Sequence, residues 1–99
     1  MALELNADTV LRAARTQVWC DLDDEVAILH LGSGLYYGLN SVGARIWTLL
    51  QELRSVRDLG EAILREYEVD LPRCEMDLPA FLSALVRTGL IEVAHAPAS

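Results

Sequence analysis

An α+β fold, three antiparallel strands followed by three helices, is what the hydrophobic pattern predicts. Three observations predict it. Val18–Leu22, Val26–Leu31 and Leu35–Leu39 are short apolar or alternating runs separated by turn residues, Asp23-Asp24 and Gly32-Ser33-Gly34. After Asn40 the period changes, and Val42, Ile46, Leu49, Leu50 and Leu53 recur at helical spacing. Two more helical stripes follow, Val56, Leu59, Ile63 and Tyr67, then Leu78, Phe81, Leu82, Leu85 and Val86.

Taken in order, Met1–Ala7 has no period and is expected to fray. Thr9–Leu11 can form a short strand. Val18, Cys20 and Leu22 alternate with Trp19 and Asp21, so one set faces away from the other. Val26–Leu31 is apolar nearly throughout, as a central strand is. Gly32-Ser33-Gly34 supplies the positive φ of a hairpin turn. In simple meander order Leu35–Leu39 then lies at a sheet edge. Asn40 or Ser41 can cap the first helix, which runs from Ser41 to Leu53 without an intervening loop. Ser55 with Asp58 has the spacing of a capping box for the second helix, which continues to Tyr67. Glu68–Leu71 breaks the pattern. Gly89 fits the left-handed position after the third helix, with Leu90 folding back on Leu85. Ile91–Val93 can add a short strand, and His95–Ser99 reads as a tail.

The third helix contains one local conflict. Pro79 cannot donate to the carbonyl of Glu75, and its ring clashes there at a cost of about 3 kcal/mol. The expectation is a kink near Glu75, or a separate turn over Pro72–Met76 with a new helix start capped by Asp77.

Length and charge limit the function. The 99 residues suit one domain, 1–99, with a core over roughly residues 9–93. Net charge is −7, and the eight basic residues are all Arg. Such a chain is repelled by phosphate backbones, so nucleic acid is not the expected partner. There is no signal-peptide pattern and no apolar run near the ~18 residues of a membrane span, so no membrane role and a cytoplasmic setting with reduced Cys20 and Cys74 are expected.

Catalysis needs paired titratable groups in a pocket. His30 and His95 are the two histidines, one on a strand and one in the tail, and no phosphate loop or nucleophile elbow is present. Cys20, Cys74 and His30 lack metal-ligand spacing. No enzyme activity, cofactor or metal is therefore expected, and the cysteines read as small buried hydrophobes. The outline of strands and three helices is winged helix-turn-helix-like. However, Arg73 and Arg87 on the third helix are offset by Glu75 and Asp77, while Arg45, Arg54, Arg57 and Arg65 alternate with Glu52, Glu61 and Glu66 as in local ion pairs. A winged-helix DNA-binding regulator and a small enzyme or metal protein stay open as the other classes, distinguished by a salt-sensitive gel shift and by a bound ion or loss of stability with chelator.

Peptide binding has a physical route. The edge run Leu35-Tyr36-Tyr37-Gly38-Leu39 carries no charge, although strand edges are usually blunted by charge or proline. An extended peptide can add there as a further strand. The third helix, with Leu78, Phe81, Leu82 and Leu85, is the opposite wall. These leucines can equally be core. Tyr36 and Tyr37 point to opposite faces, so one must leave the core side. The same edge can pair with a second copy, which leaves a monomer or a weak homodimer.

The run GLYYGLNSVGARIW, with LDDEVAILHL before it and DLPAFLSALVRTGL after it, resembles the PqqD-like family of peptide-recognition proteins over Val18–Ile91. The resemblance implies a domain that holds the leader of a ribosomally made precursor peptide for a modifying enzyme. It places the leader between Leu35, Tyr36, Tyr37, Gly38 and Leu39 on one side and Asp77, Leu78, Phe81, Leu82 and Leu85 on the other. Asp77 and Glu75 near the mouth would favour a leader with Lys or Arg. The YYGLN-x-VG-x-RIW pattern looks most like members serving lasso-peptide pathways, where the partner is a leader protease. Members serving pyrroloquinoline quinone synthesis, whose partner is a radical SAM enzyme, usually carry Pro-Glu where this chain reads Leu31-Gly32-Ser33-Gly34.

Overall fold

The computed structural model describes residues 5–15, 17–23, 25–67 and 71–95. Met1–Glu4 of the expected frayed start, Asp24 of the first turn, the link Glu68–Asp70 and the tail Ala96–Ser99 lie outside the described residues. In chain order the elements are β1 (Val10–Ala13), β2 (Gln17–Leu22), β3 (Glu25–His30), β4 (Leu35–Asn40), α1 (Ser41–Leu49), β5 (Arg54–Ser55), α2 (Val56–Glu66), α3 (Leu71–Thr88) and β6 (Ile91–His95).

The predicted meander is the sheet β2-β3-β4, antiparallel throughout, with β4 at an edge. Its turns have local causes. Leu22 pairs with Glu25 across the first turn, where Asp23 takes φ 59°, a left-handed conformation that Asp tolerates. Gly34 has φ 72° in the second turn, and its N–H donates to the His30 carbonyl at 2.8 Å. His30 itself organises that turn: Nδ1 accepts from the Ser33 N–H at 3.1 Å and lies 2.8 Å from Ser33 Oγ. Strand β4 passes into α1 with no loop, the chain turning at Ser41 with φ 41°.

A second sheet, order β5-β1-β6, joins the two ends of the chain. The short strands expected near Leu11 and Ile91 are each other's partners, Ala13 pairing with Ile91 and Arg12 with Glu92. Arg12 Nε donates to Glu92 Oε1 at 2.7 Å across this pairing. At the sheet corner Gln17 Nε2 donates to the carbonyls of Ala14 and Leu90, both at 2.7 Å.

The core lies between the inner faces of both sheets and the helices. Val26, Ile28, Leu11 and Ile91 meet Ile46, Trp47, Leu50, Leu59, Ile63, Leu82 and Leu90, all buried. Trp19 stands edge-to-face on Trp47, with ring centroids 6.1 Å apart and planes at 82°, a favoured aromatic geometry. Helix α1 stops at Leu49, earlier than the pattern suggests, because the Leu50 carbonyl turns to accept from the Ala13 N–H at 2.7 Å. Leu53 consequently falls beyond the helix and is exposed.

Both caps predicted on the later helices form. Ser55 Oγ accepts from the Asp58 N–H at 3.0 Å, and Asp58 Oδ2 accepts from the Ser55 N–H at 3.3 Å. At the end of α3, Gly89 takes φ 83°, its N–H reaching the Val86 carbonyl at 3.0 Å and the Leu90 N–H the Leu85 carbonyl at 3.1 Å. This is the Schellman pattern.

A separate helix start at Asp77 is not formed: α3 runs from Leu71 to Thr88 with Pro79 inside it. The reason is packing on both sides of the proline. Leu78, Leu82 and Leu85 are buried, each contributing about 1.5–3 kcal/mol, which together exceeds the local cost of the ring. Cys20 is a second correction, exposed rather than buried. The arginines do form ion pairs, yet three are long-range. Arg45 spans to Glu66, Arg57 to Asp8 and Arg12 to Glu92, while Arg54 pairs locally with Glu52.

Candidate functional site

The strand-to-helix junction and α3 enclose a cleft of about 470 Å³. Gly38 and Leu39 of β4 form one rim, and Asp77, Leu78 and Phe81 of α3 form the other. Val42, Gly43 and Ile46 of α1, with Ile63 of α2 and Cys74 of α3, complete the lining. Asp77 is the charged side chain among the described lining residues. Local structure explains the arrangement. Because α1 begins directly after β4, its first-turn residues Val42 and Gly43 lie against the end of that strand. A methyl group on Gly43 would meet Phe81 Cζ at 3.3 Å and Leu39 Cβ at 3.5 Å. The missing side chain at Gly43 is what lets the Phe81 ring approach α1 so closely.

The ten residues expected at the site divide into three groups. Gly38, Leu39, Asp77, Leu78 and Phe81 line the cleft. Tyr37 faces inward and is half-buried against the core, while Leu35 shares its face at the far end of β4 and is exposed. Tyr36 points to the opposite side of the sheet and is 75% exposed. Leu82 and Leu85 lie behind the wall at 0% and 6% exposure, so their side chains form the core that supports Phe81. The side chain of Glu75 lies outside the described ones. Val42, Gly43, Ile46, Ile63 and Cys74 were not anticipated. Val42, Ile46 and Ile63 belong to the helical stripes that also build the core, and their spacing alone does not separate core from cleft.

Chemically the cleft suits an extended apolar segment. Among the described residues no strand pairs with the outer edge of β4, where backbone N–H and C=O groups alternate, and the cleft beside it is largely apolar. Among the described residues no group of three His, Cys, Asp or Glu is placed to hold a metal ion. No described helix is long and apolar enough to cross a membrane.

The family profile for "Coenzyme PQQ synthesis protein D (PqqD)" matches residues 25–91. No curated protein matches the chain. Among solved structures, "TbiB1 in Complex with the TbiA(beta) Leader Peptide" is similar, with a TM-score of 0.76 and 43% identity, covering 87% of this chain and 99% of that one. "Lasso peptide synthetase B1 complexed with the leader peptide" is similar at a TM-score of 0.71 and 27% identity, covering 82% of this chain and 95% of the other.

Proposed function

The chain belongs to the PqqD family, and from that premise we propose that it binds the leader of a ribosomally synthesised precursor peptide as a strand added to β4. It then hands the precursor to a modifying enzyme, the leader protease of a lasso-peptide pathway. The observation that carries the reading is the uncharged free edge of β4 running beside an apolar cleft. Backbone hydrogen bonds to the edge give affinity, and alternate side chains entering the cleft give selectivity. Leu39, Val42, Leu78 and Phe81 receive the inward side chains, and Asp77 at the rim attracts a Lys or Arg of the leader, an effect that salt screens. Both similar structures hold a leader peptide, which supports this occupant.

The protein performs no chemistry of its own in this account. It raises the effective concentration of the precursor at the partner enzyme. The test is fluorescence-polarisation titration with labelled TbiA(beta) leader peptide and with the leader encoded beside this chain's own gene. Wild type is compared with Phe81→Ala, which removes the α3 wall, and Gly38→Pro, which obstructs the strand edge. Saturable binding that both variants lose, while circular dichroism shows them folded, is the expected result. Folded wild-type protein that binds neither leader overturns the reading. Faster leader removal when the chain is added to the protease tests the delivery step separately.

A further inference from the structure

The outer face of the β2-β3-β4 sheet exposes Val18, Leu22 and Tyr36, and β4 supplies an unusual pair of residues to it. Strand alternation turns the Tyr36 side chain and the Cβ direction of Gly38 to this side, with Leu29 and Ala27 as their partners on β3, while the Gly38 backbone still borders the cleft. Tyr36 is 75% exposed, and a side chain built at Gly38 would meet nothing within 4 Å. Next to a free edge, a bare glycine beside an exposed aromatic leaves a shallow platform of backbone and ring. A glycine in a strand exposes its backbone, and a large cross-strand neighbour covers it.

We propose that this platform is a second specificity subsite, which reads the outward side chains of the bound leader. The inference rests on the strand-addition reading above. Any strand paired with β4, parallel or antiparallel, points one residue opposite Gly38 and another opposite Tyr36 to the outer face. The residue opposite Gly38 is large and apolar or aromatic: it covers the glycine backbone and reaches diagonally to the Tyr36 ring, a distance of about 7–8 Å that aromatic side chains span. The leader is therefore read on both faces, by the cleft at one set of alternate positions and by Tyr36–Gly38 at the other. The immediate surroundings fit this occupant, since Ala27, Leu29 and Gly38 are apolar and uncharged and Tyr36 adds the face of an aromatic ring.

The test pairs two protein variants with an alanine scan of each leader, read by fluorescence polarisation. Tyr36→Ala removes an exposed ring and leaves the core untouched. Gly38→Val covers the bare backbone with a residue suited to strands, and the open space around Gly38 accommodates it. Tyr36→Ala is expected to weaken leader binding about fivefold, the range of an aromatic cross-strand pair. The leader's alanine substitutions should couple to Tyr36 and Gly38 at two positions two residues apart, and in Gly38→Val the large residue opposite should lose most of its advantage. Unchanged affinity of Tyr36→Ala, in a protein that still loses binding on Phe81→Ala, overturns this subsite and leaves the cleft reading standing. Coupling at adjacent positions also overturns it. If Tyr36→Ala instead changes the sedimentation of the free protein, the face joins two copies and the proposal fails. Absence of leader binding by wild type removes both readings together.

Discussion

Replacing Gly43 by alanine separates stability from binding. Gly43 lies in the first turn of α1, where alanine is favoured over glycine by about 0.5–1 kcal/mol. The added methyl would lie 3.3 Å from Phe81 Cζ and 3.5 Å from Leu39 Cβ, so the ring must give by a few tenths of an ångström. In a closed core such overpacking costs about 1–3 kcal/mol. Here the ring lines an open cleft of about 470 Å³ and can swing into it. The two effects nearly cancel, and net stability should stay within about 1 kcal/mol of wild type, a Tm change under about 8 °C for a domain of this size. Binding has no such compensation if a leader occupies the cleft as proposed, because the methyl and the displaced ring would take up that space. A loss of about tenfold in leader affinity is expected, about 1.4 kcal/mol. Thermal melts by circular dichroism and polarisation titrations on the same preparation read both. A Tm fall well beyond that range with unchanged affinity would refute the reasoning, since Gly43 would then be a packing position remote from the ligand.

Other substitutions test the framework. Leu82→Ala empties a fully buried site behind the cleft; it should cost about 2–5 kcal/mol in denaturant unfolding, a large share of a small domain's stability. Ser55→Ala removes the hydroxyl that caps α2 and should cost about 1 kcal/mol in the same assay, while leader affinity holds. Gly89→Ala forces φ 83° on a residue with a Cβ, and that Cβ would lie 3.3 Å from His30 Nε2; a loss of at least about 1–2 kcal/mol is expected. Arg45→Ala breaks an exposed two-bond pair with Glu66 and should change stability by less than about 1 kcal/mol, with the difference shrinking as salt rises.

Local chemistry was legible in the sequence. Ser55 and Asp58, Gly34 and Gly89 each mark a structure whose hydrogen bonds lie within a few residues, and each appears where its spacing indicates. The period change at Asn40 likewise locates the β4–α1 junction. Long-range pairing left no comparable mark. Strand β5 has two residues, Arg54 and Ser55, and β1 finds β6 near the opposite end of the chain, so neither pairing is encoded in a window. Pro79 did not start a new helix at Asp77, because the cost of the ring is offset by Leu78, Leu82 and Leu85 packing on either side. The cleft was half legible. Its rims are an uncharged strand and a helix stripe, both visible in order, whereas its floor uses Val42, Gly43 and Ile46 from a helix that reads simply as core. Tyr36 and Tyr37 show why alternation is informative: it required one ring to leave the core side, and tertiary packing decided that it is Tyr36.

The central claim is that a leader peptide becomes the next strand beside β4, and backbone hydrogen exchange tests it most directly. In a strand, successive N–H groups point to opposite edges, so half the amides of Leu35–Asn40 bond β3 and the other half face the free edge. Exchange followed by NMR, with and without saturating leader, should show new protection at every second β4 amide, the ones that exchange fastest in the free protein. Protection confined to α3 or to the outer strand β2, with the β4 edge amides exchanging as before, would contradict strand addition.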